Sequence, residues 1–133
     1  MSVLSMIKYA LAGIGAISLL VGGIGIANVM MLTVKERIKE IGVMKALGAT
    51  TRDIRMQYLL EAGVLGAVSS LIGILMGVAV SYLIGSLASL PSAITYQSIL
   101  LGVLFGVVTT TIAGVYPANR AARLDPIEAL RAE

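Results

Sequence analysis

Apolar residues run in long stretches along most of this chain, and the charged residues fall into two short segments. No charge lies within the 26 residues of 9–34, and none lies within the 58 residues of 62–119. A helix needs about 20 apolar residues to cross the hydrocarbon core of a bilayer. The first stretch is therefore long enough for one crossing, and the second is long enough for two crossings with a turn between them.

A polar segment between Gly85 and Ser98 interrupts the second stretch and predicts that turn. Pro91 lies within it and breaks helices. The polar side chains that collect there are Ser86, Ser89, Ser92, Thr95, Tyr96, Gln97 and Ser98. We therefore predict an all-α membrane protein that forms one domain over 1–133, with spans at about 9–34, 62–84 and 99–118. A signal peptide explains the first span less well, because its apolar core has only about 7 to 15 residues.

The distribution of Lys and Arg predicts the orientation of the spans. Six of these residues lie in the loop 35–61, three lie in the tail 119–133, and the predicted turn has none. Cytoplasmic segments collect Lys and Arg. We therefore expect the loop and the tail in the cytoplasm and the N-terminus outside, in a plasma or inner membrane, although Lys8 then lies on the outer side.

Composition supports a membrane protein and narrows the possible chemistry. Hydrophobic residues make up 58% of the chain and charged residues 13%, against about 25% charged residues in soluble domains. The chain has no Cys and no His, which excludes thiol nucleophiles, His-based triads and most metal sites. The net charge of +3 is too small and dispersed for nucleic-acid binding. We expect no cofactor, no metal and no nucleic-acid partner.

A membrane enzyme is a remaining alternative that the sequence disfavours. Without His or Cys it would need a Ser-Lys or paired-carboxylate site, but every Lys and Asp lies outside the predicted spans. The polar residues inside the spans are modest, since Thr109 to Thr111 can bond their own helix backbone. No ionisable residue lies deep in a span, which argues against a proton relay.

Two GxxxG patterns predict close helix packing in the second and third spans. Gly73 and Gly77 form the first pattern, and Gly102 and Gly106 form the second. Each pattern places two small residues on one helix face, where a neighbouring helix can approach closely. The alternative is that glycine is simply common in membrane helices.

The loop 35–61 predicts a short amphipathic helix followed by a new helix start. Ile38, Ile41, Met44 and Leu47 recur every three residues and share one side of a helix. Gly48 suits the helix end, and Thr50 to Asp53 resemble a capping box. Such a helix lies either on lipid or in a groove of a protein partner; its mixed charges and lack of aromatic residues favour a partner.

The tail predicts a second short helix. Asp125 is a suitable N-cap, and Pro126 suits the first helical position. Arg120 and Arg123 flank the end of the third span, where such residues usually anchor a helix at the membrane surface.

Several motifs follow one another in a specific order from about residue 17 to the end. They are Val21-Gly-Gly-Ile-Gly-Ile-Ala-Asn-Val-Met-Met, Glu36-Arg-Ile-Lys-Glu-Ile-Gly, Lys45-Ala-Leu-Gly-Ala, Leu60-Glu-Ala, Tyr116-Pro-Ala and Arg120-Ala-Ala-Arg-Leu-Asp-Pro-Ile-Glu-Ala-Leu. Together they resemble the FtsX-like permease domain of MacB-type ABC transporters.

This resemblance implies a function for the loop helix. In that family the corresponding helix is a coupling helix that contacts a cytoplasmic ATPase, and a homodimer passes the motion to an extracytoplasmic domain for export or efflux (mechanotransmission). The residues implied as ATPase contacts are Glu36, Arg37, Glu40, Ile41, Gly42, Lys45, Ala46, Leu47, Gly48 and Ala49. The alternative is a scaffold of the cell-division FtsX type, which relays ATPase motion to an extracellular enzyme.

The chain lacks other parts of that family's pattern. Members have a preceding span and an extracytoplasmic domain, so we expect this chain to be a fragment or a shortened reading frame. It contains no Gly-Lys pair and thus no P-loop, so we expect ATP hydrolysis on a partner subunit or another domain.

Overall fold

The computed structural model describes residues 2–91 and 94–131, and within these ranges the chain forms five helices and no strand. The helices are α1 (Val3–Glu36), α2 (Ile38–Ala46), α3 (Thr51–Ala88), α4 (Tyr96–Ala122) and α5 (Pro126–Arg131). Ser92 of the predicted turn and the last two residues of the predicted tail lie outside the described residues.

Helices α1, α3 and α4 are each long and apolar enough to cross a membrane. This agrees with the predicted all-α class and with three spans. A helix of 34 residues, the length of α1, is roughly 50 Å long at 1.5 Å per residue, against about 30 Å for the hydrocarbon core. The exact limits of the spans in a bilayer stay a prediction.

The connection between α3 and α4 is shorter than the predicted turn. Helix α3 continues to Ala88 and ends where Ser89 takes a left-handed conformation with φ 55°. The hydroxyl of Thr95 accepts a hydrogen bond of 3.2 Å from the amide of Ser98 and caps α4. Polar residues 86 and 96–98 are therefore helical, because the caps lie at Ser89 and Thr95.

Helices α3 and α4 pack through a row of mostly small residues spaced four apart, which we call the α3–α4 ladder. A Cβ atom added at Gly114 would lie 2.5 Å from that of Ala62, and one added at Gly66 would lie 2.6 Å from Thr110. One added at Gly106 would overlap the Ser70 hydroxyl. The ladder thus consists of Ala62, Gly66, Ser70 and Ile74 on α3, facing Gly114, Thr110, Gly106 and Gly102 on α4.

The two predicted GxxxG patterns differ in their surroundings. Gly102 and Gly106 belong to the ladder, whereas a Cβ atom at Gly73 or Gly77 would meet no described atom within 4 Å. The reason is rotational, since Gly73 lies about 100° around the helix from its neighbour Ile74, which faces α4.

Helix α1 packs against α4 through its C-terminal part. A Cβ atom at Gly23 would lie 3.7 Å from Ala113 and Thr109, and Met30 approaches Gly114. Residues 6–22 of α1 are exposed within this chain. The three long helices therefore converge at the end of the bundle that carries segments 35–61 and 120–131, which we call the charged end.

The buried core lies at the charged end. It is made by both long and short helices and contains Met30, Val34, Ile41, Ile54, Tyr58, Ala62, Ala118, Ala121 and Ala122. Pro117 is also fully buried inside α4. This core brings α2 against the ends of the long helices.

The ladder predicts opposite effects for two Gly→Ala substitutions. Gly114→Ala should destabilise the helical bundle by about 1–3 kcal/mol because the new methyl group overlaps Ala62. Gly77→Ala should be neutral or stabilise it by up to about 1 kcal/mol, because alanine favours the helix and meets free space. Circular dichroism of unfolding in mixed micelles measures both. Equal stability of the two variants would contradict the ladder.

Candidate functional site

Helix α2 follows α1 almost without a break. Only Arg37 separates them, with φ −103° and ψ 17°. Its amide donates to the carbonyl of Thr33 at 3.0 Å, and its own carbonyl accepts from the amide of Ile41 at 3.0 Å. These bonds continue the helical pattern across the break, so the direction of α2 is fixed by α1.

A short, well-bonded link joins α2 to α3. The amide of Gly48 donates to the carbonyl of Lys45 at 3.1 Å, and that of Ala49 donates to Met44 at 3.0 Å. This is a Schellman motif, and Gly48 has the positive φ of 107° that it requires. The predicted stop at Gly48 is therefore confirmed.

The predicted capping box at the start of α3 is also present. The hydroxyl of Thr50 accepts a hydrogen bond of 3.1 Å from the amide of Asp53. The carboxylate of Asp53 accepts one of 3.0 Å from the amide of Thr50. The bond from the Thr50 amide to this carboxylate lowers the pKa of Asp53 most, and the Thr50 side chain lowers it further, because a hydrogen-bonded carboxylate favours its charged form.

The inner face of α2 is covered by the tail of the same chain. Ile41 and Gly42 are buried, and a Cβ atom at Gly42 would lie 2.8 Å from that of Ala129 in α5. Helix α5 begins as predicted, since the amide of Ile127 donates to the Asp125 carboxylate at 2.9 Å and Pro126 is the first helical residue. The two short helices therefore pack closely together.

Lys45 connects α2 to the end of α4. Its ammonium group donates to the main-chain carbonyl of Leu124 at 2.7 Å and to that of Ala122, the last residue of α4. A helix C-terminus carries unpaired carbonyl groups and a partial negative charge, which a lysine satisfies well.

The outer face of α2 is exposed and combines apolar with charged side chains. Leu47 is 84% exposed and Val43 is 46% exposed. Lys39, Glu40 and Ala46 lie beside them and are also exposed. We call these five residues the outer face of α2.

The structure separates the ten residues that the sequence implied as partner contacts. Ile41 and Gly42 are buried inside the chain and position α2; the contact role of the ten residues stays a prediction. Lys45 and Ala49 are partly buried. The exposed ones are Glu36, Arg37, Glu40, Ala46, Leu47 and Gly48. Ile41 is buried in the core formed with α1, α3 and α4, and Gly42 is covered because α5 folds back on α2; the residues around position 41 do not predict either contact.

Sequence reasoning missed two features of this site. One is the role of Ala129, a small residue that lets α5 approach Gly42. The other is Val43, an exposed apolar residue that lies outside the three-residue spacing of Ile38, Ile41 and Met44. The four-residue spacing of Leu47 from Val43 was the available signal, because such pairs share a helix face.

Two threonine hydroxyl groups in the third span bond their own helix. Thr110 donates to the carbonyl of Gly106 at 2.5 Å, and Thr111 donates to that of Val107 at 2.7 Å. Such bonds to the preceding turn are expected for threonine in membrane helices.

Comparison with known proteins identifies related chains. A family model described as FtsX-like permease C-terminal matches residues 12–126. The ABC transporter permease YknZ of Bacillus subtilis is 48% identical over 123 residues, which cover 92% of this chain and 31% of that protein. The macrolide export ATP-binding/permease protein MacB of Bdellovibrio bacteriovorus is 46% identical over 123 residues, which cover 92% of this chain and 19% of that protein.

A further relative has a different export substrate in its name. The pyoverdine export ATP-binding/permease protein PvdT of Pseudomonas putida is 44% identical over 126 residues, covering 92% of this chain and 19% of that protein. The chain thus spans about a fifth to a third of the length of these curated relatives.

The capping box predicts how Asp53 titrates. Because its pKa is lowered in the folded chain, its stabilising effect is complete above the unfolded pKa of about 3.9 and is lost as pH falls through the lower folded pKa. Thr50→Ala should move the Asp53 pKa part of the way back to its ordinary value, whereas Thr50→Ser should not. Carboxyl carbon chemical shifts in micelles report this; an ordinary pKa in the unsubstituted chain would contradict the capping box.

Proposed function

The chain belongs to the FtsX-like permease family of MacB-type ABC transporters, and from this we propose that it is the membrane part that couples a cytoplasmic ATPase to movement outside the membrane. In this proposal the ATPase docks on the outer face of α2. ATP binding and hydrolysis displace α2, and the long helices pass the displacement across the bilayer for export.

The exposed outer face of α2 is the observation that carries the proposal. Leu47 and Val43 are large apolar side chains exposed outside the predicted spans, with Lys39 and Glu40 beside them. An exposed apolar surface with a charged rim is typical of a protein docking site. The neighbouring lysine and glutamate support a protein partner over an anionic lipid surface, which attracts a mainly basic face.

The attachment of α2 supports its role as a lever. It is bonded to α1 across Arg37 and reaches α3 through the four residues 47–50. A short helix held this way moves together with its neighbours, because little flexible chain is available to absorb a displacement.

The distribution of polar groups supports a chain that transmits motion across the membrane. It argues against a path for a solute through this chain. The hydroxyl groups of Thr110 and Thr111 bond their own helix, and the stretches 9–34 and 62–119 provide no Asp, Glu, Lys, Arg or His side chain for a solute or proton. The proposal therefore places the transported molecule outside the region described here.

Orientation and assembly are part of the proposal. The excess of Lys and Arg in 35–61 and 120–131 supports a cytoplasmic charged end and an external N-terminus. We further propose a homodimer with two ATPase subunits or domains. The outward apolar surfaces of α1, α3 and α4 would then face lipid or the second copy. The names of the MacB and PvdT relatives support export as the purpose.

Leu47→Asp tests the docking site in the intact transporter that contains this chain, together with its ATPase. We expect at least about tenfold weaker ATPase binding, because an exposed apolar anchor at the centre of an interface contributes about 2 kcal/mol or more. Co-purification and permease-stimulated ATP hydrolysis in lipid nanodiscs measure it.

Ile127→Asp is the matched control, because Ile127 is 64% exposed on α5 and is not part of the outer face of α2. It should leave ATPase binding unchanged. Ile41→Asp should instead lower stability, since Ile41 is fully buried. Unchanged stimulation by the Leu47→Asp variant would overturn the proposed docking site.

A further inference from the structure

The side chain of Lys45 points into the chain, toward the end of α4, whereas the proposed ATPase-docking surface points away from it. Lys39 projects from the exposed side of α2, whereas the ammonium group of Lys45 points inward to the carbonyls of Ala122 and Leu124. These carbonyls belong to the end of α4 and to the residue before Asp125, the N-cap of α5. Lys45 thus bonds the junction between the third long helix and the tail.

We propose that Lys45 is a positioning residue that clamps α2 to the C-terminal end of α4, so that a displacement of α2 moves α4 directly. This inference rests on the proposed coupling function. It assigns Lys45 to transmission inside the chain and removes it from the ATPase contact.

The charge of Lys45 suits this clamp. The last carbonyls of α4 lack partners within their own helix, and the partial negative charge of the helix end attracts an ammonium group. Hydrogen bonds that involve a charged donor are stronger than neutral ones. The contact therefore resists separation of α2 from α4 in a way that an apolar side chain of equal length would not.

Close packing beside Lys45 makes the clamp stiff. Gly42 lies one turn before Lys45 and meets Ala129 of α5 so closely that a Cβ atom would lie 2.8 Å away. Ile41 is fully buried in the same core as Ala121 and Ala122 of α4. Two contacts thus hold α2 to the tail, one by close packing and the other by charge.

The clamp would give α2 a second mechanical route. Its first route is the nearly continuous connection to α1 across Arg37. Through Lys45 it also holds α4, and α4 in turn packs against α3 along the ladder. All three long helices would then respond to one short helix.

Lys45→Met, Lys45→Arg and Lys35→Met test the clamp in the intact transporter in nanodiscs, with its ATPase. A fluorescent label on Tyr96→Cys, in an otherwise cysteine-free background, reports motion at the far end of α4, where Tyr96 is 89% exposed. We expect the ATP-dependent signal to fall about threefold or more in Lys45→Met. It should stay unchanged in Lys35→Met, because Lys35 is exposed and lies outside the outer face of α2, and Lys45→Arg should restore most of it. ATPase binding should be unchanged in all three.

Hydrogen exchange supplies a second readout that needs no ATPase. In Lys45→Met, amide exchange in residues 126–131 should rise about tenfold, as expected for loss of hydrogen bonds to a charged group, while α3 and α4 keep their protection. Loss of protection throughout the long helices would overturn the proposal, because Lys45 would then act on general stability.

Two other results would also overturn the clamp. One is an unchanged ATP-dependent signal in Lys45→Met, and the other is loss of ATPase binding, which would make Lys45 a contact residue. Failure of the proposed function looks different, since the unsubstituted transporter would then give no ATP-dependent signal. In that case the role of Lys45 in transmission fails together with the proposed coupling function. The hydrogen-exchange experiment then decides whether Lys45 holds the tail.

Discussion

The close approach of α3 and α4 is the constraint on which the other helix positions depend. Lipid and apolar side chains are equally hydrophobic, so helices in a bilayer associate mainly through close packing. The ladder provides it, because glycine on one helix faces a side chain on the other at Gly66, Gly106 and Gly114. Helix α1 then packs against α4 beside the ladder, with Met30 next to Gly114. A larger residue at Gly114 would therefore disturb both contacts.

The ladder also explains why the core lies at the charged end. It brings the start of α3 next to the end of α4, and the large side chains of Ile54 and Tyr58 are buried there among small residues of α4. Alanines 118, 121 and 122 leave the room that these side chains fill. Ile41 of α2 fills the remaining space. The core therefore fixes α2, which is joined to α1 and α3. The packed core at this end gives the outer face of α2 a defined orientation.

In the proposed mechanism this arrangement separates two tasks on one short helix. Leu47 and Val43 point outward, where a partner can bind, while Ile41, Gly42 and Lys45 point inward and hold the helix to the chain. A side chain on a helix of 9 residues serves one task or the other according to its angle around the axis. Substitutions on the two sides of α2 should accordingly separate binding from transmission.

The sequence by itself determined the three long apolar helices, the stop at Gly48, the capping box of Thr50 and Asp53, and the tail helix after Asp125. These follow from local length, capping chemistry and turn geometry, and neighbouring residues carry that information. It also indicated the family, since the motifs occur in order. The tertiary structure alone decided which glycines touch another helix, since Gly73 and Ile74 differ only by rotation. It also decided that Ile41 and Lys45 face α4 and α5, because that contact joins residues about 80 positions apart in the chain, and local periodicity carries no information about such distant partners.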